Sequence, residues 1–125
     1  MVKILLIRHS VTAGNLEGRY IGSRTDEPLC EEGIRLLKSR SYPPVDRIYV
    51  SPMRRCVETA GLLWKEVPMI QKPDLRECDF GTFENKNYQE LGDSPAYQAW
   101  IDSGGVLPFP EGESMEQFKA RCQRA

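Results

Sequence analysis

Short aliphatic runs alternate along the chain with segments whose apolar residues recur at helical spacing. Ile4 to Ile7 is an uninterrupted aliphatic run, which predicts a buried strand that ends at Arg8 and His9. Val45 to Val50 alternates and is rich in β-branched residues, so it predicts a second strand. Met69 to Gln71 predicts a short third one. Strands that alternate with helices indicate an α/β fold.

The first long helix is predicted from about Cys30 or Glu31 to Arg40. Acidic residues occupy its first turn and basic residues its last, which suits the helix dipole. Gly33 lies inside it at a cost of about 1 kcal/mol relative to alanine. We therefore expect Gly33 to pack closely against a neighbouring segment.

Ser51-Pro52 predicts the start of a second long helix, with serine as the cap and proline at the first helical position. Apolar residues then recur at helical spacing to about Glu66, which predicts a face directed to the core. This face consists of Met53, Cys56, Val57, Ala60, Leu63 and Trp64.

The second half of the chain has weaker signals. Asp74 to Gly81 is predicted as an extended loop or short strand, and Tyr88 to Ser103 as one or two short helices. Ser-x-x-Gln at Ser114 forms a capping box for a last helix, with Phe118 and Cys122 directed inward. No stop signal follows this helix, so we expect a longer protein, cut before its next strand.

The composition is that of a soluble globular protein, and 125 residues suffice for one domain, residues 1–125. The net charge of −1 counts against nucleic acid as a partner. No apolar stretch approaches the roughly 20 residues that span a bilayer, and no signal peptide is recognisable, so a cytoplasmic protein without a membrane partner is expected.

The four cysteines are dispersed, without a C-x-x-C pair, and the chain has a single histidine. This pattern gives no zinc site, so no metal is expected. Reduced thiols in a cytosolic protein are the favoured interpretation, and a disulfide pair is the alternative. These cysteines are Cys30, Cys56, Cys78 and Cys122.

Three segments carry candidate chemistry. Arg8-His9 follows a predicted strand, at the sheet edge where α/β proteins bind ligands, although the strand could simply end in solvent. Arg54 and Arg55 lie in the first turn of a helix, where positive charges interact unfavourably with the helix dipole. A bound anion would offset this cost. The alternative is that both are solvated and pair with nearby acids.

The third segment is Leu75 to Gly81, in which Glu77 and Asp79 alternate with apolar neighbours and could both face a cleft. A carboxylic acid there could protonate a leaving oxygen, although acidic loops are more often only solvated. For Glu111-Gly-Glu-Ser114, helix capping is the stronger interpretation.

Together these segments resemble the histidine phosphatases, the phosphoglycerate mutase-like superfamily. The resemblance covers nearly the whole chain, with several motifs in the right order and spacing. The matching motifs are Arg8-His9, Asn15, Tyr20-x-Gly22-x-x-x-Asp26-x-Pro-Leu29 with Gly33, Ser51-Pro-Met-x-Arg55-x-x-x-Thr59-Ala60, Leu75-x-Glu77-x-Asp79-Phe-Gly81-x-Phe-Glu84, and Gly112-Glu-Ser114 with Phe118 and Arg121.

The resemblance implies a three-layer α/β/α phosphoglycerate mutase-like sheet and a phosphohistidine route that needs no cofactor. His9 would attack a phosphate monoester, with its other ring nitrogen held by a backbone carbonyl. Arg8 and Arg55 would neutralise the phosphoryl oxygens, and Glu77 would protonate the leaving alcohol. The implied substrate-binding residues are Asn15, Ser10, Ile21 and Gly22.

The chain also departs from the family pattern. Ser10 and Asn85 stand where the family usually has glycine. The family's second histidine, on a strand after the Ser114 helix, is absent, so activity of the 125 residues alone is open. The sequence also leaves open whether the protein forms a homodimer.

The segment from Asn85 to Pro110 is short and lacks the arginine pair that mutases use. This favours a small phosphatase of the α-ribazole-phosphate type, acting on a small phosphorylated metabolite. Phosphoglycerate mutase is the runner-up, and a non-catalytic phosphate-binding module is the alternative from another class.

Overall fold

A computed structural model describes residues 1–125 and shows a mixed α/β protein with five helices and a small parallel sheet. The helices are α1 (Ala13–Leu16), α2 (Glu31–Lys38), α3 (Arg54–Leu63), α4 (Pro95–Asp102) and α5 (Met115–Arg124), and the strands are β1 (Ile48–Val50) and β2 (Met69–Gln71). None of the helices is long and apolar enough to cross a membrane.

The sheet is a β–α–β unit in which α3 connects two parallel strands. Ile48 pairs with Met69 and Val50 with Gln71. The side chains of Ile48 and Val50 are buried with Ala60 of α3, so alternate residues of β1 face the helix. The predicted strands at 45–50 and 69–71 are thus confirmed, the first shortened to its last three residues.

A second apolar cluster lies under the loops of the other half. Phe83, Tyr97 and Phe109 are buried in it together with Cys78 and Leu91. Its rings meet mostly edge to face, and the hydroxyls of Tyr20 and Tyr97 are 2.9 Å apart. Burial raises the pKa of Tyr20 to about 12, so the Tyr20 hydroxyl keeps its proton. The loop of residues 78–84 packs on this cluster through Cys78, Phe80 and Phe83.

The predicted strand at Ile4–Ile7 is wrong for this structure. The segment has no strand geometry, and Val2, Ile4 and Leu6 are 85%, 79% and 92% exposed. An aliphatic run becomes a strand only where another strand accepts its backbone hydrogen bonds. Here β1 and β2 bond to each other, and no backbone bond reaches residues 1–8.

The α3 helix begins at Arg54, later than the Ser51-Pro52 signal predicts. The Ser51 hydroxyl accepts a hydrogen bond from the Met53 amide at 3.4 Å, which closes a turn before the helix. The Arg54 amide instead donates to Oδ1 of Asp26 at 2.7 Å. A carboxylate from a distant loop therefore caps this helix, which no local pattern could predict.

The remaining helices are close to expectation. The capping box of Ser114 with Gln117 is confirmed, and Phe118 packs against the aromatic cluster, but Cys122 is exposed rather than buried. The 88–103 region contains one helix, α4, capped by Ser94. The segment predicted as an extended loop or short strand has a single 3-10 turn at each end. These turns are residues 73–75 and 81–83.

Gly33 of α2 packs as closely as its sequence position predicts. A Cβ at this position would overlap the carbonyl oxygen of Val11. The chain after His9 therefore crosses α2 at a point where only glycine fits.

Candidate active site

His9 is held in place through its neighbour Ser10. The Ser10 amide donates to Oγ1 of Thr59 on α3 at 3.0 Å, and its hydroxyl donates to the carbonyl of Gly33 on α2 at 2.8 Å. These two bonds fix the backbone at the junction of two helices. The Ser10 hydroxyl proton is thereby committed to the fold, so Ser10 could offer a substrate only acceptor lone pairs.

The His9 ring is oriented by its own backbone. Nδ1 lies 2.6 Å from the carbonyl oxygen of Ser10. Because a carbonyl can only accept, Nδ1 carries the proton and Nε2 of the neutral imidazole keeps its lone pair. This is the arrangement that a nucleophilic histidine requires.

The surroundings of His9 favour its neutral form. Burial lowers its pKa most, and the positive charges of Arg55 and Arg8 lower it further. The hydrogen bond to Ser10 and the negative charge of Glu77 act in the opposite direction. The charges of the two arginines and of the glutamate predicted for the site thus all influence the pKa of the imidazole.

The two arginines have different environments. Arg8 is exposed and makes no hydrogen bond within the chain, so its guanidinium is available to an anion. Arg55 is 1% exposed and donates to the carbonyls of Thr25 at 2.7 Å and Gly22 at 3.2 Å. Its Nε is buried without a partner. Arg55 thus supports the 21–25 loop while it adds a positive charge beside His9.

Arg54 and Arg55 separate into a surface residue and a buried one. The Arg54 side chain is 58% exposed, and its Nε lies 3.7 Å from Glu58. The alternative of a solvated, acid-paired arginine therefore describes Arg54, whereas Arg55 faces the interior. Moreover, the Asp26 carboxylate accepts a hydrogen bond from the Arg54 amide, so a negative charge from within the chain already lies at the N-terminus of α3.

Glu77 and Asp79 are separated in the same way. Asp79 pairs with Nε of Arg24 at 2.7 Å and accepts a hydrogen bond from the Gly81 amide. Glu77 makes no ion pair, and its Oε1 accepts from the Cys78 amide at 2.8 Å. Of the two carboxylates, only that of Glu77 has no cationic partner.

The loop residues predicted to contact substrate are engaged within the fold. Oδ1 of Asn15 accepts a hydrogen bond from the Thr12 amide and completes the capping box of α1. Ile21 is buried, and the Gly22 amide donates to Glu84 at 2.9 Å. A Cβ on Gly22 would overlap the Cys78 carbonyl, which explains the glycine. Asn15 retains only its Nδ2 as a donor.

The thiols of Cys56 and Cys78, which lie next to these elements, are not competing nucleophiles. All four cysteines are free. Burial raises the pKa of Cys78 to about 12 and also raises the pKa of Cys56. Both therefore remain thiols at neutral pH, and the thiolate is the reactive form.

Sequence reasoning missed how the site is supported. Glu113 holds Arg121 through two hydrogen bonds of 2.7 and 2.9 Å, and Thr59 accepts from the Ser10 amide. All three residues lie within or beside the matching motifs, which was the available signal. Their roles depend on contacts between residues that are 8 to 49 positions apart in the sequence, and the hydrophobic periodicity does not reveal such contacts.

Comparison with known proteins gives one family and one fold. The family model described as the histidine phosphatase superfamily (branch 1) matches residues 4–125. The adenosylcobalamin/alpha-ribazole phosphatase of Salmonella typhimurium is 32% identical over 131 residues, which cover 98% of this chain and 64% of that protein.

Two crystal structures are similar over 94% of this chain. The alpha-ribazole phosphatase of Shigella flexneri has a TM-score of 0.79 at 28% identity, with 62% of its chain covered. The phosphoglycerate mutase of Thermus thermophilus has a TM-score of 0.75 at 31% identity, with 66% covered. The fold is therefore phosphoglycerate mutase-like, and the chain spans less than two thirds of the length of these relatives.

Proposed function

Because the chain belongs to branch 1 of the histidine phosphatase superfamily, we propose that it hydrolyses phosphomonoesters through a phosphohistidine at His9. The proposed substrate is a small phosphorylated metabolite. The alpha-ribazole phosphatases of Salmonella typhimurium and Shigella flexneri make α-ribazole 5'-phosphate the leading candidate. No metal or cofactor takes part in the proposed reaction.

The observation that carries this proposal is the hydrogen bond between Nδ1 of His9 and the carbonyl of Ser10. It leaves Nε2 unprotonated, and the lowered pKa keeps it so at neutral pH. A histidine poised in this way, beside two cations and a free carboxyl, suits phosphoryl transfer.

In the first step Nε2 of His9 forms a bond to phosphorus, and the bond between phosphorus and the ester oxygen breaks. Arg8 and the charge of Arg55 offset the negative charge on the phosphoryl oxygens. The Glu77 carboxyl takes up a proton when the ester binds and gives it to the leaving oxygen, so an alcohol departs.

In the second step water attacks the phosphorus of the phosphohistidine. The Glu77 carboxylate takes a proton from this water as the N–P bond breaks, which releases inorganic phosphate. Glu77 gives up this proton when the phosphate leaves, so His9 and Glu77 both return to their starting protonation states and the cycle balances.

The test is hydrolysis of p-nitrophenyl phosphate by the protein as its gene encodes it, with a chelator present. We expect the unsubstituted protein to turn over the ester. In His9→Ala the turnover should fall by at least about 10³-fold, since the nucleophile itself is removed. Arg54→Ala is the matched control, because Arg54 is exposed on α3, and it should retain activity. Equal turnover in His9→Ala and the unsubstituted protein would refute the assignment.

The second candidate is a phosphoglycerate mutase, favoured by the similarity to the Thermus thermophilus enzyme. A mutase would convert phosphoglycerate isomers in a reaction dependent on 2,3-bisphosphoglycerate, with little release of inorganic phosphate. Binding of vanadate without turnover of any ester would instead support a non-catalytic phosphate-binding module.

A further inference from the structure

Arg121 on α5 makes five hydrogen bonds while it is only 9% exposed. Two of the bonds go to the carboxylate of Glu113, and three go to backbone carbonyls. An arginine that uses its whole guanidinium within the fold is not available to a ligand. Its role must therefore lie in the segments of the chain that it contacts.

The three carbonyls belong to the segment that leads to Glu77. Nη1 of Arg121 donates to the carbonyls of Asp74 at 3.0 Å and Arg76 at 2.8 Å. Nη2 donates to the carbonyl of Glu77 itself at 3.1 Å. The backbone on the N-terminal side of the proposed acid is thus fixed to α5.

Glu113 fixes the other side of Glu77. Its Oε1 accepts from the Asp79 amide at 2.8 Å, and its own amide donates to the Asp79 carbonyl at 2.9 Å. The Arg121–Glu113 pair therefore holds the chain both before and after Glu77, while the Glu77 carboxyl itself makes no ion pair. The side chain is left free at a point where the backbone is fixed.

We propose that Arg121 is the positioning residue for the acid: with Glu113 as its counter-ion, it sets the backbone of residues 74–79 so that the Glu77 carboxyl faces His9. This assignment rests on the proposed phosphatase function, because it gives Glu77 its role as acid. Arg121 touches neither the substrate nor the reacting atoms.

The ion pair keeps its charges over the working range of pH. The hydrogen bonds from Arg121 are the main cause of the lowered pKa of Glu113, and those to Glu113 raise the pKa of Arg121. A planar guanidinium also presents five donors in a fixed fork, whereas an ammonium has three on a flexible stem. Lysine could therefore keep the charge but not all the contacts.

The test uses two esters that differ in their need for an acid. An alkyl phosphate such as glycerol 2-phosphate must have its leaving oxygen protonated, whereas p-nitrophenolate departs readily without a proton. We expect Arg121→Lys to lower kcat/KM for the alkyl ester by about 10- to 10²-fold, with a much smaller loss for p-nitrophenyl phosphate.

Arg124→Lys is the matched control. Arg124 is on the same helix, but its side chain is 63% exposed and its Nε lies 3.7 Å from Asp74. It should leave kcat/KM for both esters unchanged. Equal losses on the two esters in Arg121→Lys would overturn the proposal, because a general structural defect does not discriminate between leaving groups.

A double substitution separates positioning from a general effect. If Arg121 acts through Glu77, Arg121→Lys should cause no further loss on the alkyl ester once Glu77→Gln is present. Full additivity would contradict the proposal. If Arg121→Lys fails to fold, Glu113→Gln is the milder variant, and it must show the same selectivity between the two esters.

If the unsubstituted protein hydrolyses neither ester, the proposed phosphatase function fails, and the positioning of residues 74–79 is tested by amide hydrogen exchange. Faster exchange of these amides in Arg121→Lys than in Arg124→Lys would support the contacts as the element that sets this backbone. Identical exchange in the two variants would overturn the proposal.

Discussion

The backbone that carries His9 and the backbone that carries Glu77 are held by different kinds of contact. Among residues 1–125, no backbone hydrogen bond reaches residues 1–8, and the attachment begins at Ser10, through single neutral hydrogen bonds to Thr59 and Gly33. Around Glu77, a buried arginine and a glutamate hold the chain on both sides. The side of the proposed nucleophile therefore depends on close fit, and the side of the proposed acid depends on charge.

This difference predicts how each side responds to substitution. A single neutral hydrogen bond contributes about 1 kcal/mol, so the position of His9 must also depend on the steric fit of the helices beneath it. Changes in volume at α2 and α3 should disturb the nucleophile side most. Changes in charge should act on the acid side and on the pKa of His9.

The largest effect on stability is expected at Arg55. Arg55→Ala removes a buried side chain and leaves the carbonyls of Thr25 and Gly22 without their donor, which should lower the free energy of unfolding by about 3–5 kcal/mol. Arg54→Ala, one residue away and exposed, should change it by less than about 0.5 kcal/mol. Urea denaturation of the pair measures both; similar losses would show that Arg55 is not a structural support.

A smaller loss is expected where α2 meets the chain after His9. Gly33→Ala places a Cβ on the carbonyl of Val11 and should cost about 1–3 kcal/mol of stability, although alanine favours a helix by about 1 kcal/mol. Gly61→Ala in α3 is the control, because its Cβ would lie 3.6 Å from Met69, an ordinary contact. Gly61→Ala should be neutral or stabilising. If both substitutions stabilise, the fit beneath His9 is looser than the structure shows.

The smallest effect is a shift in the pKa of His9, the only histidine among residues 1–125, which can be followed by NMR of its ring protons. Its pKa should lie below the ordinary histidine value, so kcat/KM for p-nitrophenyl phosphate should rise with pH through that lowered pKa as the imidazole loses its proton. Arg8→Gln removes a positive charge and should raise the pKa; Glu77→Gln removes a negative charge and should lower it. Shifts in the same direction would contradict the electrostatic arrangement.

The features that the sequence predicted well are local ones. The capping box at Ser114 and the charges at the two ends of α2 act within a few residues, so their effect is readable from spacing. The histidine, arginine and glutamate motifs were recognisable because family resemblance preserves residue type and order. That resemblance also predicted Arg55 rather than Arg54 as the catalytic arginine, and Arg55 is the buried one of the two.

The features that it predicted badly depend on distant parts of the chain. Ile4–Ile7 has the composition of a strand, but strand formation requires a partner that the pattern itself does not contain. The start of α3 is set by Asp26, 28 residues earlier. Likewise, the Arg121 contacts reach back 44 to 47 residues. In each case the deciding interaction is tertiary.

The proposed phosphohistidine at His9 is tested most directly by locating the phosphate on the protein. The protein is mixed with a phosphate ester, quenched at alkaline pH, and analysed by mass spectrometry and ³¹P NMR. Since Nδ1 of His9 is hydrogen-bonded to the carbonyl of Ser10, we expect phosphate on Nε2 of His9, and none in His9→Ala. Turnover with the phosphate on Nδ1, on another residue or on no residue would contradict this expectation.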